Sequence, residues 1–267
     1  MISYNRYVKF IRYPNFINQG NKVSGFCYAC GRNADFKYHD VIGDDLAKQW
    51  NINSKLRKAF SQRESMHCSG CMSSLRLRTL SKAITYSLGK KGSSLKNLIN
   101  DNEFKNLKIA EINACGDLHN ILKDHKKLYY SEYEPKDPSI RKEDLMKLSY
   151  PDNYFDIVLT SDTFEHIPDF NGGLKEVRRV LKPGGKHIFT IPTINSRRTV
   201  KRVDLKGNNL REPTYHGSGE PDNLVVNEFG FDVINKINKN GFRTELYFAN
   251  PLNINDVNFA LVCRKEP

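Results

Sequence analysis

The chain contains no apolar run approaching the roughly 18 residues that a membrane-spanning helix requires, so no helical span is expected in its 267 residues. Its opening, MISYNRYVKFIRYP, mixes aromatics with bases and lacks the apolar stretch and small-residue cleavage site of a secretory leader. The expected location is the cytoplasm. Internal repeats and low-complexity tracts are also missing. Acidic residues are scarce early in the chain: residues 1–100 hold 17 Lys/Arg and 5 Asp/Glu, whereas residues 101–267 hold 25 of each. The whole formal charge of +12 therefore resides in the first hundred residues. Such asymmetry fits an anionic partner, whether nucleic acid, phosphorylated glycan or membrane surface, or else a solvated basic face. No RNA-binding motif accompanies it, only charge with interleaved Tyr and Phe.

What is present begins with size and core. The length suits one sizeable domain plus an appended module, and 39% hydrophobic residues suffice for a core. Four of the six cysteines form two pairs, Cys27-Tyr-Ala-Cys30 and Cys68-Ser-Gly-Cys71. Paired C-x-x-C turns present thiolates as a tetrahedral Zn²⁺ site requires. The stretch between them exceeds a compact zinc ribbon, so an insertion separates the two knuckles. Disulfides are disfavoured without a secretion signal, and buried thiols are the alternative. Four cysteine ligands leave no open position, which makes the expected zinc structural. Asp44–Phe60 reads as a helix capped by Asp44, and Ser73–Leu88 as a helix capped by Ser73 or Ser74 and stopped by Gly89, with Leu80, Ile84 and Leu88 as its stripe. Lys90–Ser94 reads as a linker, dividing a basic zinc-binding module at 1–92 from a second domain at 93–267.

The second domain is organised around residues 151–192. Phe155–Thr160 is a short β-branched run suited to a strand covered on both faces. Leu174, Val177, Val180 and Leu181 recur at helical spacing until Pro183-Gly184-Gly185, and His187–Ile191 returns as a strand. FDIVLTSDTFEHIPD followed by VRRVLKPGGKHIFTIP resembles the second half of a class I S-adenosylmethionine-dependent methyltransferase of the type 11-like group. That resemblance implies an α/β, Rossmann-like sheet, mostly parallel with an antiparallel last strand. Phe242–Phe248 and Val257–Val262 would be its closing strands, after a helix carrying Ile234 and Ile237 and ending at Gly241.

The resemblance also implies site residues. A strand at Lys108–Ile112 brings Glu111 to the family's acidic position. Asn113, Cys115 and Asp117 stand where glycines are usual, and Gly116 remains. Asn113 and Gly116 would line the cofactor's methionyl part, and Asn and Asp tolerate left-handed backbone better than other non-glycine residues. On the strand Leu128–Tyr133, Glu132 follows Glu111 at the offset of an acid that binds ribose hydroxyls, with Glu134 as the alternative. Asp144 and the Leu145 amide would meet adenine, and Ser161 would border cofactor and substrate. His166 and then His216 are candidates for the base that takes a proton from an oxygen acceptor. Asp162 and Glu165 would orient the acceptor or cap the next segment. Arg63–Arg78, with Tyr215-His216-Gly217 and Glu228-Phe229-Gly230, resembles a subgroup of such enzymes. Arg197, Arg198, Lys201 and Arg202 read as a basic cluster, and Arg76 and Arg78 as contacts for an anionic acceptor.

Two readings follow. One is O-methylation of a sugar, glycolipid or other small acceptor. The other is a noncatalytic methyltransferase-like protein whose altered loop no longer holds cofactor, with RNA methylation between them.

Overall fold

The computed structural model describes residues 8–9, 17–19, 22–216, 223–248 and 257–266. Most of the opening segment, and Gly217, lie outside these residues. Compactness divides the chain into two units. The first comprises Met1–Lys108, Ala114–Leu128 and Glu245–Val262; the second comprises Ile109–Asn113, Tyr129–Thr244 and Cys263–Pro267.

The first unit opens with the short strand β1 (Val8–Lys9) and a meander of β2 (Ile17–Gln19), β3 (Lys22–Phe26) and β4 (Asn33–Lys37). Helices α1 (Asp44–Gln49) and α2 (Ser54–Ser65) follow, then β5 (His67–Cys68), α3 (Leu75–Ser87) and α4 (Leu95–Leu98). Strands β2, β3, β4 and β5 pair antiparallel in that order. The single helix expected at Asp44–Phe60 is instead two. Asn51 takes φ +49, and Asn53 starts a new helix by accepting from the Leu56 amide at 2.9 Å. Asp44 does not cap the first helix: Gly43 holds the cap position with no side-chain bond. Helix α3 does start at Ser74, whose hydroxyl accepts from the Leu77 amide, and Gly89 follows its end at φ +77. Leu77, Leu80 and Ile84 are buried.

Two expectations about this unit change. Lys90–Ser94 is no free linker, because Ser94 is buried and caps α4 through the Asn97 amide. The Leu95 and Lys96 amides then donate to Tyr28 and Ala29 carbonyls at 2.7 and 3.0 Å. Arg78 is also no surface contact. Its guanidinium lies 3.6 Å over the Phe36 ring and donates to the Met66 carbonyl at 2.9 Å. Arg76 is paired with Glu64 at 3.1 Å. Arg63 and Lys82 are buried too, so part of the lobe's charge is internal.

The large sheet adds β6 (Ile109–Ile112), β7 (Leu128–Glu132), β8 (Arg141–Lys142), β9 (Phe155–Ser161) and β10 (Leu181–Thr190), with α5 (His119–Leu122) and α6 (Phe170–Val180) between them. A small sheet of β11 (Thr193–Ile194), β12 (Val200–Lys201) and β13 (Asn227–Gly230) follows, then α7 (Val233–Lys239), β14 (Phe242–Phe248) and β15 (Phe259–Lys265). The large-sheet order is β1-β14-β15-β10-β9-β6-β7-β8. Its centre is parallel, with β6 on β9 and β9 on β10, and antiparallel strands lie towards an edge. This is the Rossmann-like sheet anticipated. Strand β9 is buried on both faces from Ile157 to Thr160, as its apolar run Ile157–Leu159 requires. Within β10 the register slips between Leu181 and Lys186, where Gly184 takes φ +75. The Pro-Gly-Gly piece is therefore a bulge inside the strand's pairing.

Candidate active site and metal centre

The cysteines sit in two turns of matching construction. The Cys27 amide donates to the Arg32 carbonyl and the Gly31 amide to the Cys27 carbonyl, both at 2.8 Å. The Cys68 amide likewise donates to Ser73, and the Met72 amide to Cys68, at 3.0 and 2.9 Å. Gly31 at φ +77 and Met72 at φ +61 close the respective turns with left-handed backbone. The four sulfurs converge: Cys27 and Cys71 Sγ are 3.7 Å apart, and Cys30 and Cys68 Sγ are 3.9 Å apart. A zinc tetrahedron with Zn–S near 2.3 Å has edges of about 3.8 Å, so the spacing fits such an ion. All four cysteines are free of disulfides. Hydrogen bonding from Cys27, then from Ser73, pulls Cys71 down to about 4, while that shared bond and burial push Cys27 up.

The second unit holds the parallel strand ends. Strand β6 lies between β7 and β9, so successive connections leave it in opposite directions. Ligands of open α/β sheets bind at such a reversal, beyond the carboxyl ends of the strands. Asn113 follows β6 at φ +56, and Asp162 follows β9 at φ +47. Asn113 donates its amide to the Ser131 carbonyl at 2.9 Å, and its Oδ1 accepts from the Tyr133 amide at 3.0 Å. Glu111 is fully buried. Glu132 ends β7 and accepts from the Tyr130 hydroxyl. Asp144 Oδ1 accepts from the Met146 amide at 2.8 Å, which folds its carboxylate over its own turn beside buried Leu145. Ser161 Oγ lies 3.2 Å from Thr190 Oγ1, which donates to Asp162 Oδ1 at 2.8 Å. In the first unit, Gly116 takes φ +54 and a Cβ there would meet Leu77 Cδ1 at 3.0 Å.

His166 and His216 are distant in sequence yet adjacent in space, their rings 5.3 Å apart and edge-on. One stretch of backbone assembles them. Tyr215 bridges Leu224, and the His216 amide donates to Asn223 at 3.0 Å. Leu224 O pairs with His166 Nδ1 at 2.9 Å, and the Val226 amide donates to Glu165 O at 2.7 Å. Asn227 then holds the Ile167 carbonyl at 2.9 Å. Glu165 therefore has a place in the cluster, with its side chain fully buried and its Oε1 at 3.7 Å from His166 Nε2 and from His216 Nδ1. The basic cluster expected at 197–202 is partly consumed: Arg197 and Arg202 both hold Glu228, at 2.7 and 2.5 Å.

Residues 108–189 match the methyltransferase domain family. The chain is 36% identical over 81 residues to a sterol 24-C-methyltransferase of Aspergillus fumigatus, covering 30% of this chain and 22% of that protein. It is 49% identical over 43 residues to a sarcosine/dimethylglycine N-methyltransferase of Halorhodospira halochloris, covering 16% of this chain and 15% of that protein. The chain thus spans only about a fifth of the length of the former protein and less of the latter. A solved S-adenosylmethionine-dependent methyltransferase from Clostridium acetobutylicum aligns over 65% of this chain and 91% of its own, at 14% identity and a TM-score of 0.43. No helix among the described residues is long and apolar enough to cross a membrane.

Proposed function

We propose that the chain is an S-adenosylmethionine-dependent methyltransferase acting on an oxygen of a sugar, glycolipid or other small acceptor. Residues 1–92 would be its zinc-bearing module and residues 93–267 its catalytic domain. The observation that carries the reading is the family match over 108–189, on a segment whose parallel strands end at a sheet reversal. The scarcity of glycine after β6 does not argue against cofactor. Asn113 and Gly116 supply two left-handed positions, and Cys115, which stands where a glycine is usual, is fully buried.

Glu132 would hold the ribose hydroxyls, and Asp144 with the Leu145 amide would hold adenine. Glu111, Asn113 and Ser161 would shape the remainder of the pocket, and Gly116 would keep the role that the family resemblance gives it. The cofactor, when bound, supplies an electrophilic methyl group. Transfer is an in-line displacement, so the chain contributes chiefly by holding donor and acceptor in line. His166 is the first group for the acceptor's proton: with Nδ1 donating to Leu224 O, Nε2 retains the lone pair. His216 is the second. Cys27, Cys30, Cys68 and Cys71 would hold a structural zinc, since four thiolates leave no open position.

The test is Glu132→Ala. Hydrogen bonds to a charged group contribute about 1.5–3 kcal/mol, so S-adenosylmethionine affinity should fall about tenfold or more, with the fold intact by circular dichroism. Unchanged affinity would remove Glu132 from the site. A wild-type chain that fails to bind either cofactor or its demethylated product would favour the noncatalytic reading.

A further inference from the structure

We propose that Glu165, His166 and His216 form a divalent transition-metal site, separate from the four-cysteine cluster. The three residues offer one carboxylate oxygen and two imidazole nitrogens, all within 4.8 Å of one another. That set, two histidines and one carboxylate, holds zinc or iron(II) with positions left open for other ligands. The inference rests on the geometry of this cluster and goes beyond methyl transfer.

The hydrogen bond that His166 makes sets its tautomer. Its Nδ1 lies 2.9 Å from the Leu224 carbonyl oxygen, and a carbonyl only accepts, so Nδ1 carries the proton. In the neutral ring Nε2 then has a lone pair and no hydrogen. This lone pair lies 3.7 Å from Glu165 Oε1, too far for a hydrogen bond, and both atoms are electron-rich. His216 Nδ1 stands at the same 3.7 Å from the same oxygen. Three ligand atoms that converge in this way, one from each residue, mark out a place for a cation among them. Ligands at about 2.0–2.2 Å from a common ion are separated by spacings of this order. The Leu224 contact also has the form usual for ligating histidines, in which the second ring nitrogen donates to a backbone carbonyl and fixes the ring.

Burial points the same way. Glu165 is fully buried, whereas His166 and His216 side chains are 21% and 22% exposed. An ion here would meet a buried carboxylate on one side and be open on the histidine side. The backbone holding these ligands is tied down at Leu224, Val226 and Asn227. An acceptor oxygen taking an open position would lose its proton more readily, as water does on such ions. The two histidines would then act as ligands, and the ion would take over the acidifying role.

The experiment uses the full chain, with its cysteine cluster loaded with zinc, titrated with Co²⁺. The expected result is one saturable equivalent, with visible d–d absorption and none of the near-ultraviolet thiolate charge transfer. His166→Ala and His216→Ala should each weaken that binding about 100-fold or more, since even outer partners of ligands cost 10–100-fold. His216→Ala should melt like the wild type in metal-free buffer, whereas His166→Ala also loses the bond to Leu224 and should melt slightly lower. Glu165→Gln is the harsher variant, and its failure to fold would leave the two histidine variants to decide. No saturable Co²⁺ binding, or binding indifferent to both histidine changes, overturns the proposal. S-adenosylmethionine binding is read on the same samples: cofactor without Co²⁺ defeats the metal site alone, and Co²⁺ without cofactor defeats the methyltransferase reading alone.

Discussion

His187 shows what one buried titratable ring does to stability. It is fully enclosed, stacked on Phe189 at 4.0 Å and 3.0 Å from Thr160 Oγ1 through Nε2. Burial lowers it from an ordinary 6.5 to about 3. The unfolded chain therefore binds the proton first as pH falls. Stability is fully present above pH 6.5 and declines progressively between 6.5 and about 3. His187→Phe, which keeps the ring stack, should flatten that part of the stability–pH curve in urea titrations; an unchanged slope would show that the loss comes from other groups. Gly230 is a steric case. A Cβ there would stand 2.1 Å from the Arg197 carbonyl oxygen and 2.4 Å from Arg198 C. Gly230→Ala should cost at least about 2 kcal/mol, read as a lowered Tm.

Elements were legible where their determinants are local. Helix α3 could be bounded from Ser74 and Gly89 because a cap and a left-handed stop act within a few residues. Strand β9 could be read from its apolar run. The break between α1 and α2 was not legible, because Asn53 competes as a cap inside a continuous helical pattern. Nor was the docking of Lys90–Ser94, which depends on Tyr28 and Ala29 carbonyls far away in sequence. His166 and His216 could be singled out by residue type, but their meeting depends on backbone bonds to Asn223, Leu224 and Val226 that leave no trace in composition. Ser74→Ala tests the local side of this contrast. It should destabilise the chain by about 1 kcal/mol, visible as a lower urea midpoint with unchanged slope.

For the whole molecule, the basic first hundred residues are not simply a charged surface. Arg63, Arg78 and Lys82 are buried, and burial lowers Lys82 to about 7. The lobe's apolar interior includes Trp50 and Phe60 at 5.4 Å, but its two cysteine turns lie apart in sequence and need a common tie. Structural zinc contributes about 10–16 kcal/mol of apparent binding energy in small finger peptides. Cys68→Ser should therefore lose the metal and unfold the cysteine-bearing lobe, seen as amide exchange across α2 and α3; a zinc-free variant with normal protection would contradict it. On the proposed function, this chain binds S-adenosylmethionine despite its glycine-poor loop. Calorimetric titration of the zinc-loaded wild type is the most direct measurement. One saturable site per chain is expected, with S-adenosylhomocysteine competing for it. No heat and no competition at millimolar ligand would show that the glycine-poor loop no longer holds the cofactor.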